Sequence, residues 1–461
     1  MDANVKTIIF YGESDMAQAK IMTESTPEKK RSISLMGAIF IGIGSMVGAG
    51  IFALFGEAGK IAETAVWVSF LVAGLIALLQ GYSFAKLGAK YPSSGGLISW
   101  IVRGYGKGLF TGGLVMLGYF STLIVAAMVA VSFGNYFTSL FFGATAPAYL
   151  PKIFAVLIVA VLTFVNSTGT DLVTKAQSAI VTIVLLVLGG FAIAMLVNMD
   201  PSMVAPSTYP PFSKIFASVA LTFFAYLGFG VISFVGGDIK DPEKNMPRAM
   251  YISIGVTLLL YVALAIGVFG VLTVQEVIAN ADTALAAAAF PIFGQAGYTL
   301  ITIVAVFSTA GAINSQLYAS IGATFSMAKD GQLPPRFGLA RKYRAGGTQG
   351  LVISSLLIVL LAVFFNVSVI ASIGSAVALA IFALLTVAHL RLTKETGASK
   401  FVLWIALITT LAAILLFCWN TLQTAPNTFI ILIVTIILAW VVEAGWRAIS
   451  KREVKVEQID G

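Results

Sequence analysis

Apolar runs of roughly 20 residues recur along nearly the whole chain, with short polar loops between them. Coiled as a helix rising 1.5 Å per residue, such a run crosses a hydrocarbon core about 30 Å thick. A helix also satisfies its own backbone polar groups where no water can do so. Charged residues make up only 10% of the 461 positions, against about 25% in a soluble domain, so the charge missing here is the charge a water-facing surface would need. The chain therefore reads as an all-α polytopic membrane protein rather than a soluble enzyme. Twelve transmembrane helices are expected, near 33–56, 65–85, 109–142, 153–168, 176–199, 215–236, 249–274, 298–328, 350–365, 367–390, 401–422 and 428–446. The third and eighth are long enough to tilt or to extend past the bilayer.

Basic residues fix the orientation. With the N-terminus in the cytoplasm, 25 of the 28 Lys and Arg fall in inside segments. Only Lys60, Lys152 and Lys214 fall outside, the bias expected of cytoplasmic loops. Both termini are then cytoplasmic and the location is the plasma membrane. The net charge of +8 reflects basic loops facing an anionic leaflet and needs no nucleic acid. Residues 1–32 form a polar cytoplasmic tail without the apolar stretch of a signal peptide, and 448–461 form a second tail. One cysteine, Cys418, and one histidine, His389, exclude an internal disulfide and leave no Cys/His metal site; His389 reads as an interfacial polar residue. No cofactor is expected.

The spans hold almost no charge away from their ends, although intramembrane charges commonly mark ion paths and proton relays. That argues against pumps, voltage sensors and polyamine carriers, and no phosphate-binding loop is present. Polarity at bilayer depth must come from backbone. The first span carries Gly42, Gly44, Gly48 and Gly50 within nine residues, and the sixth reads Phe223-Phe224-Ala225-Tyr226-Leu227-Gly228-Phe229-Gly230. Each glycine weakens a helix by about 1 kcal/mol relative to Ala. Close packing of small residues, as between Gly44 and Gly48, is the plainer reading of either segment. The two interrupted spans are five apart, however, so they run in opposite directions, as in inverted-repeat secondary transporters with broken helices 1 and 6. A helix ending near Gly42 and another starting near Val47 would present carbonyls to an ammonium and N–H groups to a carboxylate, which suits an α-amino acid.

At these residues the sequence resembles the amino acid–polyamine–organocation family. Gly48-Ala49-Gly50-Ile51-Phe52, Tyr91-Pro92-Ser93-Ser94-Gly95-Gly96, Phe223 to Phe229, Asp241-Pro242-Glu243-Lys244-Asn245-Met246-Pro247-Arg248 and Ala328 to Pro334 match its motifs in order. The likeness is nearest to its archaeal broad-specificity, proton-coupled amino-acid transporters. The resemblance implies a LeuT-type fold with 5+5 inverted repeats, the first repeat at 33–199 and the second at 213–391, with two further spans at 400–447. It implies that Ile43, Gly44, Ser45, Met46, Val47 and Gly48 hold the amino-acid backbone. The span-six segment Phe224, Ala225 and Leu227 would face them, with Phe224 as an aromatic lid. Leu123, Ala126 and Ala127 of span three and Gln316 of span eight would form the side-chain pocket. None of these is charged, so a neutral amino acid is expected. Asp241, Arg248 and Asp330 would pair as a cytoplasmic gate.

Coupling departs from the resemblance. The relatives carry a lysine in span five where this chain has Val184, and Lys175, nine residues earlier, lies about 13 Å away along a helix. Proton coupling through that lysine is not expected. Either Ser308 and Thr309 help bind sodium, which favours oxygen ligands, or the protein exchanges or facilitates without an ion. A polyamine or cationic amino-acid carrier, a non-transporting amino-acid sensor and a channel are the rival readings. The expected partners are a small-molecule amino acid, the lipid bilayer and a coupling ion, Na+ or H+.

Overall fold

The computed structural model describes residues 31–143, 146–168, 172–334, 337–338 and 348–450. Most of both tails, the side chain of Lys175 and most of the loop after span eight lie outside the described residues. Among these residues there is no β-strand, only an isolated bridge between Ile33 and Ile239. Ten helices are long and apolar enough to cross a membrane, and Leu35–Ala49 and Gln349–Phe364 are shorter apolar helices. The length criterion thus gives ten crossings where the apolar runs suggested twelve. The difference has a physical cause in the first case, because the first run does not form one helix.

That run splits into α1 (Leu35–Ala49), whose N-cap Ser34 accepts from the Gly37 amide at 3.2 Å, and α2 (Ile51–Ala62). After α2 come α3 (Val66–Lys90), a short α4 (Leu97–Tyr105), α5 (Leu109–Phe142), α6 (Leu150–Thr168) and α7 (Leu172–Asn198). The sixth run is also broken: α8 (Phe212–Phe224) gives way to a 3-10 turn at Leu227–Gly230 and one helical turn at Val231–Phe234. Then follow α9 (Pro242–Val271) and α10 (Ala284–Lys329), the latter interrupted by Gly294 at φ 60°. The chain closes with α11 (Thr348–Phe364), α12 (Val367–Arg391), α13 (Lys400–Thr424) and α14 (Pro426–Ser450).

Burial sorts these helices by role. In the spans containing α5 and α8, 89% and 94% of the most apolar stretch is buried within the protein, against 11% for α6 and 17% for α14. Helices that are apolar all round and buried form the interior, while α6 and α14 leave most of their apolar stretch on the outside of the bundle. α1 lies inside that interior, packed on α7, α9 and α10 and on the Leu227–Gly230 turn.

Candidate functional site

The centre of the protein is where the two broken helices meet, and glycines set how closely. A Cβ on Gly228 would lie 2.3 Å from the Met46 amide nitrogen, and one on Gly48 would lie 2.3 Å from the Ser308 carbonyl oxygen. On Gly44 it would lie 2.6 Å from a Val181 methyl. At Gly50 it would lie 2.3 Å from Tyr261 Oη and 2.5 Å from the Ala225 carbonyl oxygen. Small residues here allow backbone to approach backbone, the packing role that spacing alone suggested for Gly44 and Gly48.

The break itself falls at Gly50, with φ −90° and ψ −78°, rather than between Gly42 and Val47 as expected. Ile43, Gly44, Ser45, Met46, Val47 and Gly48 all lie inside α1, where amides are committed to carbonyls one turn earlier. The break thus lies nearly one turn beyond the expected one. Glycine content alone did not open the helix; packing keeps Gly42, Gly44 and Gly48 helical, and the ladder stops only where α8's end and Tyr261 crowd the backbone. The last bond on one side runs from the Gly50 amide to Met46 O, and the first on the other from the Leu54 amide to Gly50 O. The amides of Ile51, Phe52 and Ala53 therefore open α2, and the carbonyls of Val47, Gly48 and Ala49 close α1, without partners in either helix. Tyr261 ties the joint together: its hydroxyl donates to the Met46 carbonyl at 2.6 Å, with the Ala225 carbonyl 3.4 Å away.

In the second break, Ala225 and Tyr226 amides turn back to Thr222 and Phe223 carbonyls. Phe224 is fully buried, and its ring lies across Gly374 of α12, where a Cβ would come within 2.4 Å of it. A small cavity of about 30 Å³, room for one water, adjoins this region. Its lining includes Ser121, Thr122, Val125, Leu227, Gln316 and Phe382, and no charged side chain. Leu227 and Gln316 are among the residues expected there. From span three the cavity takes Thr122 and Val125, each one position before the expected Leu123 and Ala126, which are buried in the packing on either side. One residue is about 100° of helix rotation, a phase that motif matching does not resolve.

The polar cluster of α10 divides. Gln316 donates to Ser45 Oγ at 3.2 Å. Asn314 instead donates to Gln177 Oε1 at 3.2 Å and accepts from Asn166 at 2.7 Å, while Ser315 accepts from Gln177 Nε2 at 2.5 Å. Asn314 and Ser315 thus join helices. Span five meets Gly44 with Val181 and Gln177, Val184 is buried, and α7 carries no charged residue from Gln177 onward. Thr309 Oγ1 is spent on the Ala305 and Val306 carbonyls at 2.7 and 3.1 Å. Ser308 faces Gly48 through its backbone carbonyl. No cluster that could hold a metal occurs among the described residues.

At the end that carries the basic loops, Tyr91 donates to Glu395 at 2.5 Å, Arg103 reaches the same carboxylate at 3.2 Å, and its guanidinium stacks 3.9 Å over the Tyr91 ring. Arg248 and Asp330, expected as gate partners, do not pair with each other; the Asp330 carboxylate accepts from Ser326 at 3.4 Å. Burial, then the bond to Glu395, pushes the Tyr91 phenol up to about 12. The bond from Tyr91 leads in holding the Glu395 carboxyl below its ordinary value. A lowered carboxylate stabilises the fold above the ordinary carboxylate range and loses that contribution as pH falls through its folded value. The Tyr91–Glu395–Arg103 clasp is half exposed, so its effect is under about 1 kcal/mol. The expected result is a small melting-temperature deficit for Glu395→Gln in detergent. It should be constant above about pH 5.5 and shrink toward pH 3.5 as the wild-type carboxylate protonates.

The amino acid permease family model matches residues 33–442. The chain belongs to the amino acid permease family. An uncharacterised protein of Methanocaldococcus jannaschii is 38% identical over 92% of this permease and 97% of itself. The inner membrane transport protein YbaT of Escherichia coli is 34% identical over 89% and 95%. The serine/threonine exchanger SteT of Bacillus subtilis is 26% identical over 66% and 70%. Among solved structures, a mutant manganese transporter of Eremococcus coleocola superposes with a TM-score of 0.55, at 13% identity, over 90% of this permease and 93% of that chain. The permease is thus a multi-pass membrane transporter of the LeuT-type fold and not an enzyme. Tyr261 was missed in the sequence; its only signal was its depth in the seventh run, where Tyr251 near the run's start is the other tyrosine.

Proposed function

We propose that this permease is a secondary active transporter that moves neutral α-amino acids across the plasma membrane by alternating access, with both termini cytoplasmic. The observation that carries the reading is the uncharged joint at Gly50, where carbonyls of α1 and amides of α2 left out of both helix ladders face the end of α8. Oppositely directed helix ends supply partial charges of both signs, which match a zwitterion of no net charge. In this reading the carboxylate takes the amides of Ile51 to Ala53, one turn beyond Val47 and Gly48. The ammonium takes the carbonyls of Val47 to Ala49 and of the α8 end. Ser45, Leu227 and Gln316 flank the side chain, with Phe224 above. The likeness to a serine/threonine exchanger supports an amino-acid substrate.

A second reading, exchange without a coupling ion, is favoured by the lack of charge in α7 from Gln177 onward, where it meets α1, and by the committed Thr309 hydroxyl. The test is uptake of radiolabelled amino acids into proteoliposomes, with choline replacing sodium and with or without a pH gradient. Accumulation driven by either gradient establishes active transport, and loss in choline reproduced by Ser308→Ala identifies sodium. Indifference to both gradients with strong trans-stimulation establishes exchange. Saturable binding with neither uptake nor exchange would overturn transport altogether and leave a sensor.

The lid gives a further expectation. Phe224→Ala empties the space over Gly374, and deleting a buried Phe costs about 3–5 kcal/mol. Apparent affinity and uptake per inserted molecule should both fall about tenfold, measured by initial rates across substrate concentration. Unchanged kinetics would leave Phe224 a packing residue only.

A further inference from the structure

A groove on the outside of the bundle lies far from the glycine joint. It holds about 380 Å³ and is lined by Leu75, Leu78, Leu79 and Tyr82 of α3, Tyr251 of α9 and Val402 of α13. Leu75 is 49% exposed and Tyr251 38%, so the groove opens to the surroundings of the bundle at a depth where those surroundings are lipid. From Leu75 to Tyr82 it runs about 10 Å along α3, toward the end that carries the basic loops.

That end of the groove is polar in one sense only: it donates. The Tyr82 hydroxyl oxygen accepts from the Ser399 amide at 2.7 Å, which leaves its proton without an acceptor among the described residues. The Tyr251 hydroxyl likewise has no hydrogen-bond partner among them. Just beyond, α3 and α9 each carry a cation on the groove's face. Lys86 follows Tyr82 by one turn, and Arg248 precedes Tyr251 by three residues. Arg248 is exposed, and neither cation forms an ion pair among the described residues. An apolar slot ending in two phenol donors and two cations matches a molecule that is apolar at one end and an anionic acceptor at the other. We propose that this groove is a binding site for an anionic phospholipid, with an acyl chain along Leu75, Leu78 and Leu79 and the phosphate held by Tyr82, Tyr251 and Arg248. A zwitterionic lipid fits the slot equally well but sets its own cation against this basic rim, so the site selects by headgroup charge.

The full-length permease in detergent is titrated with phosphatidylglycerol and with phosphatidylcholine of the same chains, and bound lipid is counted by native mass spectrometry. Wild type should retain one phosphatidylglycerol at least tenfold more tightly than phosphatidylcholine. Arg248→Gln, and separately Tyr82→Phe with Tyr251→Phe, should remove that preference. Lys107→Gln, at another exposed cation of the same end, should preserve it. Melting temperature in phosphatidylcholine alone confirms that each variant is folded, and the exposed Arg248→Gln keeps the test open where the tyrosine pair fails to fold. Equal retention of both lipids by wild type, selectivity unchanged in Arg248→Gln, or selectivity lost equally in Lys107→Gln would overturn the site. So would displacement of the bound lipid by inorganic phosphate at millimolar concentration, since that would show a phosphate site without a lipid requirement.

Discussion

Gly50→Leu should abolish transport while the protein still inserts and folds around its lipid-facing helices. Its Cβ alone would sit 2.3 Å from the Tyr261 hydroxyl and 2.5 Å from the Ala225 carbonyl. Tyr261 could swing away, but the Ala225 carbonyl is backbone and cannot yield without moving the end of α8. The rest of the leucine would occupy the space over the Ile51 to Ala53 amides, where a substrate carboxylate is proposed to sit. Uptake per inserted molecule should fall at least 100-fold, a loss of about 2.7 kcal/mol or more in transition-state stabilisation. The comparison that matters is Gly44→Leu, whose Cβ meets only a Val181 methyl at 2.6 Å and the Gln177 amide at 3.5 Å. Side chains can give where backbone cannot, so Gly44→Leu should keep more activity than Gly50→Leu. The reverse order would return the binding joint to residues 43–48 of α1, as the family resemblance had it.

Lysine, arginine and spermidine should fail to compete with a neutral substrate. The cavity lining holds no charged side chain, and the buried carboxylates lie elsewhere. Asp238 accepts from Tyr318 at 3.3 Å beyond the second break, Asp330 ends α10, and Glu443 packs against Gly112 near the start of α5. A second cation would enter the joint with no counter-charge, at a cost of several kcal/mol. That corresponds to at least a 100-fold weaker affinity. A thermal-shift screen of the twenty amino acids and spermidine in detergent measures it, because a ligand that binds only the folded protein raises its melting temperature by mass action. Stabilisation by micromolar spermidine would sink the neutral-substrate reading and make the permease a cation carrier.

His389 shows how a sparse polar residue is misread from its position alone. At the junction of an apolar run and a basic loop it looks interfacial, yet its side chain is buried. Nδ1 lies 2.6 Å from Ser83 Oγ and Nε2 3.0 Å from Thr396 Oγ1. Thr396 lies only seven residues on, but Ser83 is 306 residues away and belongs to a different span. The cluster of Asn314, Ser315 and Gln316 teaches the same lesson more finely. Three consecutive polar residues point about 100° apart on a helix: Asn314 and Ser315 both meet Gln177 of α7, while Gln316 turns to Ser45 and alone of the three lines the cavity.

What the amino-acid sequence determined by itself was everything that depends on transfer between water and hydrocarbon. Runs of apolar residues set where helices form and roughly how long they are, down to α5, whose bounds of 109 and 142 match the apolar run. The pairing of glycine-rich first and sixth runs set which two helices break, because no other mid-membrane segments combine so little side chain with so much backbone. What only the tertiary structure decided was where within those segments the break falls and which residues face it. Helix propensity at Gly42, Gly44, Gly48 and Gly50 is the same residue by residue. The choice among them was made by neighbours more than 170 residues away in sequence, Ala225 and Tyr261, pressing on Gly50. Hydrophobic transfer is a local sum that can be read along a chain; steric contact between distant segments is not, and it placed the joint at Gly50, nearly one turn beyond the break expected between Gly42 and Val47.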